Sequence, residues 1–156
     1  MSTADQKLLT FSLGEEGYGV SILKVKEIIG MLEITPVPRT PDFIKGVLNL
    51  RGKIIPVMDL RIKFGMDEKD YNERTCILVV ELNIQGNERL LGVVVDTVSE
   101  VINVSDDEIE PPPQYGAKVE HSFILGIGKI KDRVVIILDI DEVFVCDEVI
   151  KMFDNV

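Results

Sequence analysis

The chain contains an internal repeat, which restricts the fold more than any other feature of the sequence. The stretch 43–64 matches the stretch 123–144 at an offset of eighty positions. The identical pairs are Phe43/Phe123, Ile44/Ile124, Gly46/Gly126, Asp59/Asp139 and Phe64/Phe144. Upstream, shorter offsets pair Val25 with Val98, Glu27 with Glu100, Pro36 with Pro111 and Pro38 with Pro113. Two copies indicate a duplicated supersecondary unit, because a solenoid needs at least about three repeats.

Each copy is too small to form a stable core alone. One repeat takes up about 60–70 residues, a size at which a single hydrophobic core is marginal. We therefore expect one domain over 1–156 whose halves share a buried core. The first subdomain is expected at about 14–75 and the second at about 76–145, with the N-terminal strand 8–13 as a further candidate for the second. A C-terminal helix is expected at about 146–154.

Short β-branched segments separated by glycine turns predict a mainly β fold with short helical turns. Two sets of about five such strands suggest a pair of small β-barrels. The proline-rich stretches 34–41 and 108–114 predict extended connectors, because proline lacks the backbone N–H that a central strand needs. Pro56 predicts either an edge strand or a position whose missing N–H faces outward. Asp59 and Asp139 predict the N-caps of short helical turns.

The stretch 43–61 predicts a central β-hairpin. Two short apolar runs flank the polar break Arg51-Gly52-Lys53, and a glycine-containing break between such runs indicates a tight turn. Gly52 can supply the positive φ that the turn requires. Arg51 stands at the rim of an apolar ribbon, where it is either solvated turn filler or a binding residue.

Composition excludes several functional classes. The net charge of −10 argues against nucleic-acid binding, which needs a cationic face. No apolar stretch approaches the ~20 residues of a membrane span, and the N-terminus lacks the layout of a signal peptide. We therefore expect a cytoplasmic protein without direct membrane insertion. Cys76, Cys146 and the single His121 stand at unrelated positions, so no metal, cofactor or disulfide is expected.

No catalytic residues are expected either. Asp59 and Asp139 could form a carboxylate pair across the repeat, but an N-cap role explains each of them locally. One histidine cannot make a catalytic triad by itself, and the sequence has no glycine-rich phosphate loop. A non-catalytic binding module is therefore the better class.

Eight segments together carry a family resemblance. They are 18–20 (Tyr-Gly-Val) with 22–28, 41–46, 49–52 (Asn-Leu-Arg-Gly), 56–61 (Pro-Val-Met-Asp-Leu-Arg), 92–96 (Gly-Val-Val-Val-Asp) with 98–101, and 126–139. In this pattern, which extends from about Leu8 to Phe153, the chain closely resembles the coupling proteins of bacterial chemotaxis, the CheW family.

The resemblance implies a fold and a function. The fold is two intertwined five-stranded SH3-like β-barrels that share a central core. The function is that of an adaptor, which binds the cytoplasmic tip of transmembrane chemoreceptors and the regulatory domain of the histidine kinase CheA. The free protein is expected to be a cytoplasmic monomer that is recruited to membrane-associated receptor arrays. A stand-alone coupling protein is expected because no receiver domain follows and no kinase domain precedes.

Carried over residue by residue, the resemblance also implies binding sites. The receptor site is expected at Asn49, Leu50, Arg51 and Gly52, with Val25 and Glu27 nearby. A first kinase contact is expected at Ile29, Gly30 and Met31. A second contact, which builds rings of coupling protein and kinase, is expected at Glu110, Gln114 and Tyr115.

Three other interpretations remain open at this point. The chain could be a ligand- or protein-binding regulatory barrel of another two-component pathway, because one fold can serve several functions. It could be the coupling half of a CheV-like protein. It could also be an enzyme subunit whose catalytic chemistry lies on another chain.

Overall fold

Strands dominate the chain in the computed structural model, which describes residues 6–111, 123–130, 132–144 and 147–154. The strands are β1 (Gln6–Leu13), β2 (Glu16–Ser21), β3 (Val25–Gly30), β4 (Ile44–Leu50), β5 (Lys53–Asp59), β6 (Cys76–Ile84), β7 (Asn87–Val95), β8 (Thr97–Val104), β9 (Ile109–Glu110), β10 (Ile124–Ile130) and β11 (Arg133–Leu138). The short helices are α1 (Leu60–Lys63), α2 (Ile140–Val143) and α3 (Asp147–Asp154), and 3-10 turns lie at Ile22–Lys24 and Asp106–Glu108. The expected C-terminal helix corresponds to α3.

The strands form two sheets that exchange elements between the repeats. One sheet has the order β3-β6-β7-β5-β4, and the other has the order β8-β1-β2-β11-β10-β9. The pairs β5–β7 and β11–β2 are parallel, whereas neighbours along the chain pair antiparallel. Each sheet contains strands from both repeats. The expected subdomain bounds, 14–75 and 76–145, therefore match the sequence repeats but not the two hydrogen-bonded sheets. The mainly β, intertwined fold is confirmed, and the second sheet gains β9 as a sixth strand.

The buried residues explain why the halves share one fold. The largest cluster combines Leu9 and Phe11 of β1 with Leu78 of β6 and Val93 of β7, so it joins the two sheets. A smaller cluster lies within the five-stranded sheet, and another lies within the six-stranded sheet. The repeat-related residues Val25 and Val98 pack against the shared cluster and are half-buried. The shared core that the size of the repeats predicts is present.

The repeated glycines mark the places where a proline-rich connector pairs closely with a hairpin strand. A Cβ atom on Gly46 would lie 2.1 Å from the carbonyl oxygen of Thr35, and one on Gly126 would lie 2.8 Å from that of Glu110. Gly46 also has φ +142°, which L side chains rarely adopt. Only glycine lets the two backbones approach so closely. The glycine of the Phe-Ile-x-Gly pattern is therefore required by the same close approach in both repeats.

The repeat-related aspartates differ in how they begin their helices. The Asp59 carboxylate accepts hydrogen bonds from the backbone N–H groups of Arg61 (2.9 Å) and Ile62 (3.4 Å), which confirms its predicted N-cap role. Its other oxygen accepts the Tyr71 O–H at 2.9 Å. Asp139 occupies the N-cap position of α2, but its side chain accepts no cap hydrogen bond. The prediction that the Asp139 side chain caps its helix is wrong, because the Asp139 backbone carbonyl alone holds that turn.

The position of Pro56 follows from the hydrogen bonding of its neighbour. β5 lies between β4 and β7, so it is not an edge strand. Pro56 faces Val47, whose N–H and C=O both bond to Thr35 on the opposite side. Pairing with β7 begins one residue later, at Val57. The missing N–H of Pro56 therefore costs no ladder hydrogen bond, in line with the second of the two predictions for this residue.

Candidate functional site

The tip of the β4–β5 hairpin is a two-residue turn made by Arg51 and Gly52. Both residues have positive φ, +50° and +89° respectively, as in the turns that favour tight hairpins. The positive φ of Gly52 agrees with the sequence prediction. That of Arg51 could not be predicted, because few non-glycine residues adopt it. The side-chain oxygen of Asn49 accepts a hydrogen bond from the Gly52 N–H at 2.8 Å and braces the turn.

Arg51 is bound to Glu27 by a bidentate ion pair. Its Nη1 lies 3.0 Å from Glu27 Oε1, and its Nη2 lies 2.5 Å from Oε2. This parallel geometry is the strongest form of an arginine–carboxylate contact, and lysine cannot reproduce it. The Arg51 side chain is 70% exposed. It is nevertheless a paired group and not a free cation.

The ion pair also closes the first barrel, which is formed by the five-stranded sheet. Glu27 lies on β3 and Arg51 follows β4, and these two strands are the opposite edges of the five-stranded sheet. A contact between the edges joins the ends of the sheet, so the pair fixes the position of the hairpin tip. Of the five N–H groups of an arginine side chain, two donate to Glu27. The remaining three can donate to another molecule.

The ionisation of both groups reflects this contact. The hydrogen bonds from Arg51 lower the pKa of the Glu27 carboxyl below its ordinary value. The hydrogen bond to Glu27 likewise raises the pKa of Arg51. Each group therefore stabilises the charged form of the other, and the pair is fully ionised at neutral pH.

Of the other residues expected at this site, some are exposed and some pack against the core. Asn49 and Gly52 are exposed beside Arg51. Leu50 is only 8% exposed and belongs to the core of the first barrel, so little of its surface can meet a partner. Val25 is half-buried against the shared core. The tip thus presents polar atoms, whereas Leu50 and Val25 pack against two different core clusters.

The first expected kinase contact lies at the end of β3. Gly30 is exposed, whereas Ile29 and Met31 are half-buried and pack against the core of the first barrel. The exposed apolar side chains nearby are Ile28 (44%) and Leu32 (46%). Sequence reasoning missed both; the alternation of sides along β3 could have indicated Ile28, whereas Leu32 follows the end of the strand.

The second expected kinase contact is only partly described. Glu110 is exposed on β9, at an edge of the six-stranded sheet. Gln114 and Tyr115 lie outside the described residues.

Comparison with known proteins decides the family. The CheW-like domain family matches residues 7–147, most of the chain. The chain belongs to the CheW family. It is 40% identical over 154 residues to the chemotaxis protein CheW of Klebsiella aerogenes, across 99% of this chain and 90% of that protein. It is also 36% identical over 124 residues to protein FrzA of Myxococcus xanthus, across 79% of this chain and 74% of that protein.

A solved structure of a CheW-family protein confirms the fold. The scaffolding protein TtCheW from Thermoanaerobacter tengcongensis matches with a TM-score of 0.81 at 39% identity, covering 93% of this chain and 96% of that chain. The family resemblance found in the sequence is therefore confirmed. As a CheW-family member, the chain is a chemotaxis coupling adaptor.

Within the described ranges, no group of three or more His, Cys, Asp or Glu side chains is placed to hold a metal ion. In the same part of the chain, none of the helices has both the length and the apolar character to cross a membrane.

Proposed function

We propose that this chain couples a chemoreceptor to the histidine kinase CheA by binding each at a separate surface. The receptor tip binds at the Arg51 turn, and the kinase regulatory domain binds at the outer end of β3. Membership of the CheW family supports the adaptor role. The single observation that carries the receptor assignment is the exposed Arg51 side chain, braced across the barrel seam by Glu27.

The Arg51 turn suits a helical partner. A receptor tip is a helical bundle, which offers carboxylates and the carbonyl oxygens at helix ends as acceptors. Three N–H groups of Arg51 are left by the pair with Glu27, and they point to a planar, charge-assisted contact. Because Glu27 already orders the side chain, binding costs less conformational entropy than ordering a free arginine would.

The outer end of β3 suits an apolar contact. Gly30 is exposed, and a Cβ atom on it would meet no other group within 4 Å. Ile28 and Leu32 add exposed apolar surface on either side of it. Exposed apolar residues beside a sheet edge favour docking of another protein. Glu110 on β9, together with Gln114 and Tyr115, completes the proposal as a second kinase contact that links rings.

In this proposal the protein is non-catalytic and works in the cytoplasm at receptor arrays. Asp59, the buried carboxylate most suited to acid–base chemistry, is occupied by its helix cap and by Tyr71. The free protein is proposed to be a monomer.

Reconstitution tests this proposal. The full chain is mixed with a soluble chemoreceptor fragment and the CheA regulatory domain, and the complexes are separated by size. The expected result is a ternary complex of all three proteins. Without the adaptor, the receptor fragment and the kinase domain should elute separately. Arg51→Ala should remove the receptor fragment and Arg51→Lys should weaken its binding, while the kinase domain stays bound. If the chain bound neither partner, a regulatory barrel of another pathway would be the better function.

A further inference from the structure

The turn that carries Arg51 occurs a second time in the chain without an arginine. Residues 49–52 read Asn-Leu-Arg-Gly, and residues 83–86, at the β6–β7 turn, read Asn-Ile-Gln-Gly. The two turns have nearly the same backbone. Arg51 and Gln85 have φ +50° and +53°, and the glycines that follow have φ +89° and +82°.

The asparagine makes the same hydrogen bond in both turns. Asn49 Oδ1 accepts from the Gly52 N–H at 2.8 Å, and Asn83 Oδ1 accepts from the Gly86 N–H at 3.0 Å. An asparagine side chain that bonds to the backbone in this way substitutes for a backbone turn contact. Because the β6–β7 turn uses it with glutamine in place of arginine, the bond serves the turn itself and does not depend on the arginine.

We propose that Asn49 is a positioning residue for Arg51 and makes no contact with the receptor. Its oxygen holds the turn in the one conformation from which the guanidinium reaches Glu27 across the barrel seam. The left-handed conformation is unfavourable for arginine by roughly 1–2 kcal/mol, so the turn relaxes once the brace is removed. The inference rests on the proposed receptor site, and it assigns Asn49, expected there as a contact, a different role.

The first arm of the test is independent of any partner. The Glu27 carboxyl is titrated by NMR in the full chain and in Asn49→Ala, Asn49→Ser and Asn83→Ala. Arg51 is the charged group that lowers the Glu27 pKa, so this pKa reports whether Arg51 is in place. Asn49→Ala should move it upward towards its ordinary value. The Asn49→Ser variant keeps an oxygen acceptor without adding a charge and should keep most of the lowering, and the matched control Asn83→Ala should leave it unchanged. A Glu27 pKa that stayed low in Asn49→Ala would overturn the inference.

The second arm measures binding of the same variants to the soluble receptor fragment. Loss of one hydrogen bond in the turn should weaken binding about tenfold in Asn49→Ala, while Asn49→Ser and Asn83→Ala should bind like wild type. If Asn49→Ser kept a low Glu27 pKa but lost receptor binding, the Asn49 amide would be a contact and the inference would be wrong. Arg51→Ala separates the two claims. If it bound the receptor normally, the proposed receptor site would fail, and the titration would still decide the role of Asn49.

Discussion

Changing either of the repeat-related aspartates to alanine should have very different effects on stability. Asp59 is 1% exposed, and its two oxygens serve α1 and the Tyr71 hydroxyl. The burial of Tyr71 and its contact with Asp59 raise the pKa of its hydroxyl, which keeps it a donor. Asp139 begins α2 without a side-chain cap. The repeat thus supplies a matched pair in which one carboxylate caps its helix and the other does not.

The expected cost of Asp59→Ala follows from these contacts. Loss of an N-cap costs about 0.5–2 kcal/mol, and a hydrogen bond to a charged group contributes about 1.5–3 kcal/mol. Tyr71 is 37% exposed, so water can partly replace the lost acceptor. The sum is about 2–4 kcal/mol, or roughly 10 °C in melting temperature for a chain of this size. Asp139→Ala should cost less than about 1 kcal/mol.

Urea unfolding, followed by circular dichroism, measures both variants against wild type. Tyr71→Phe serves as a control that removes only one of the Asp59 contacts, and it should cost about 1–2 kcal/mol. Receptor binding by Asp59→Ala should be unchanged at temperatures where it is folded. Equal losses for Asp59→Ala and Asp139→Ala would refute the reasoning, and so would lost receptor binding with unchanged stability.

Further predictions concern the close backbone approach at Gly46, the shared core and the ion pair. Gly46→Ala should lower the free energy of unfolding in urea by about 3 kcal/mol or more, because its Cβ atom would overlap a backbone carbonyl at positive φ. Gly30→Ala is the control: its Cβ atom meets open space, so it should cost less than about 1 kcal/mol. Equal costs would refute the close approach of connector and strand at Gly46. A fragment of residues 1–74 lacks β6 and β7, which lie between β3 and β5 in the five-stranded sheet. The NMR spectrum of this fragment should therefore not be native-like. A dispersed, native-like spectrum would refute the shared core. The lowered pKa of Glu27 means that its stabilisation is present above the ordinary carboxyl value and is lost as pH falls through the lowered one. Wild type should therefore lose more stability between pH 5 and pH 3 than Arg51→Ala, and parallel pH profiles would contradict the ion pair.

Local patterns in the sequence predict local structure well in this chain. The hairpin at Arg51-Gly52 and the helix cap at Asp59 depend on neighbouring residues, and both are present. The shared core also follows from the sequence, because the length of the repeat limits what each half can bury.

The remaining features depend on contacts between distant residues. Arg51 and Glu27 meet only because the sheet curls until its edge strands approach, and no local pattern indicates that closure. Asp139 resembles Asp59 in sequence, but the repeat does not show that the Asp59 carboxylate is also fixed by Tyr71. Leu50 matches the family motif, yet its side chain points into the core. A motif identifies the segment that matters, and packing decides which of its side chains are available.

The most direct test of the adaptor account is whether the two partner surfaces can be lost separately. Binding of Arg51→Glu and Leu32→Glu is measured against the soluble receptor fragment and, separately, against the CheA regulatory domain. Arg51→Glu places a carboxylate beside Glu27 and should lose the receptor while it keeps the kinase domain. Leu32→Glu should show the reverse, because a charge at an apolar contact must be desolvated. If a folded Arg51→Glu variant weakened both partners equally, the account of two separate surfaces would be contradicted.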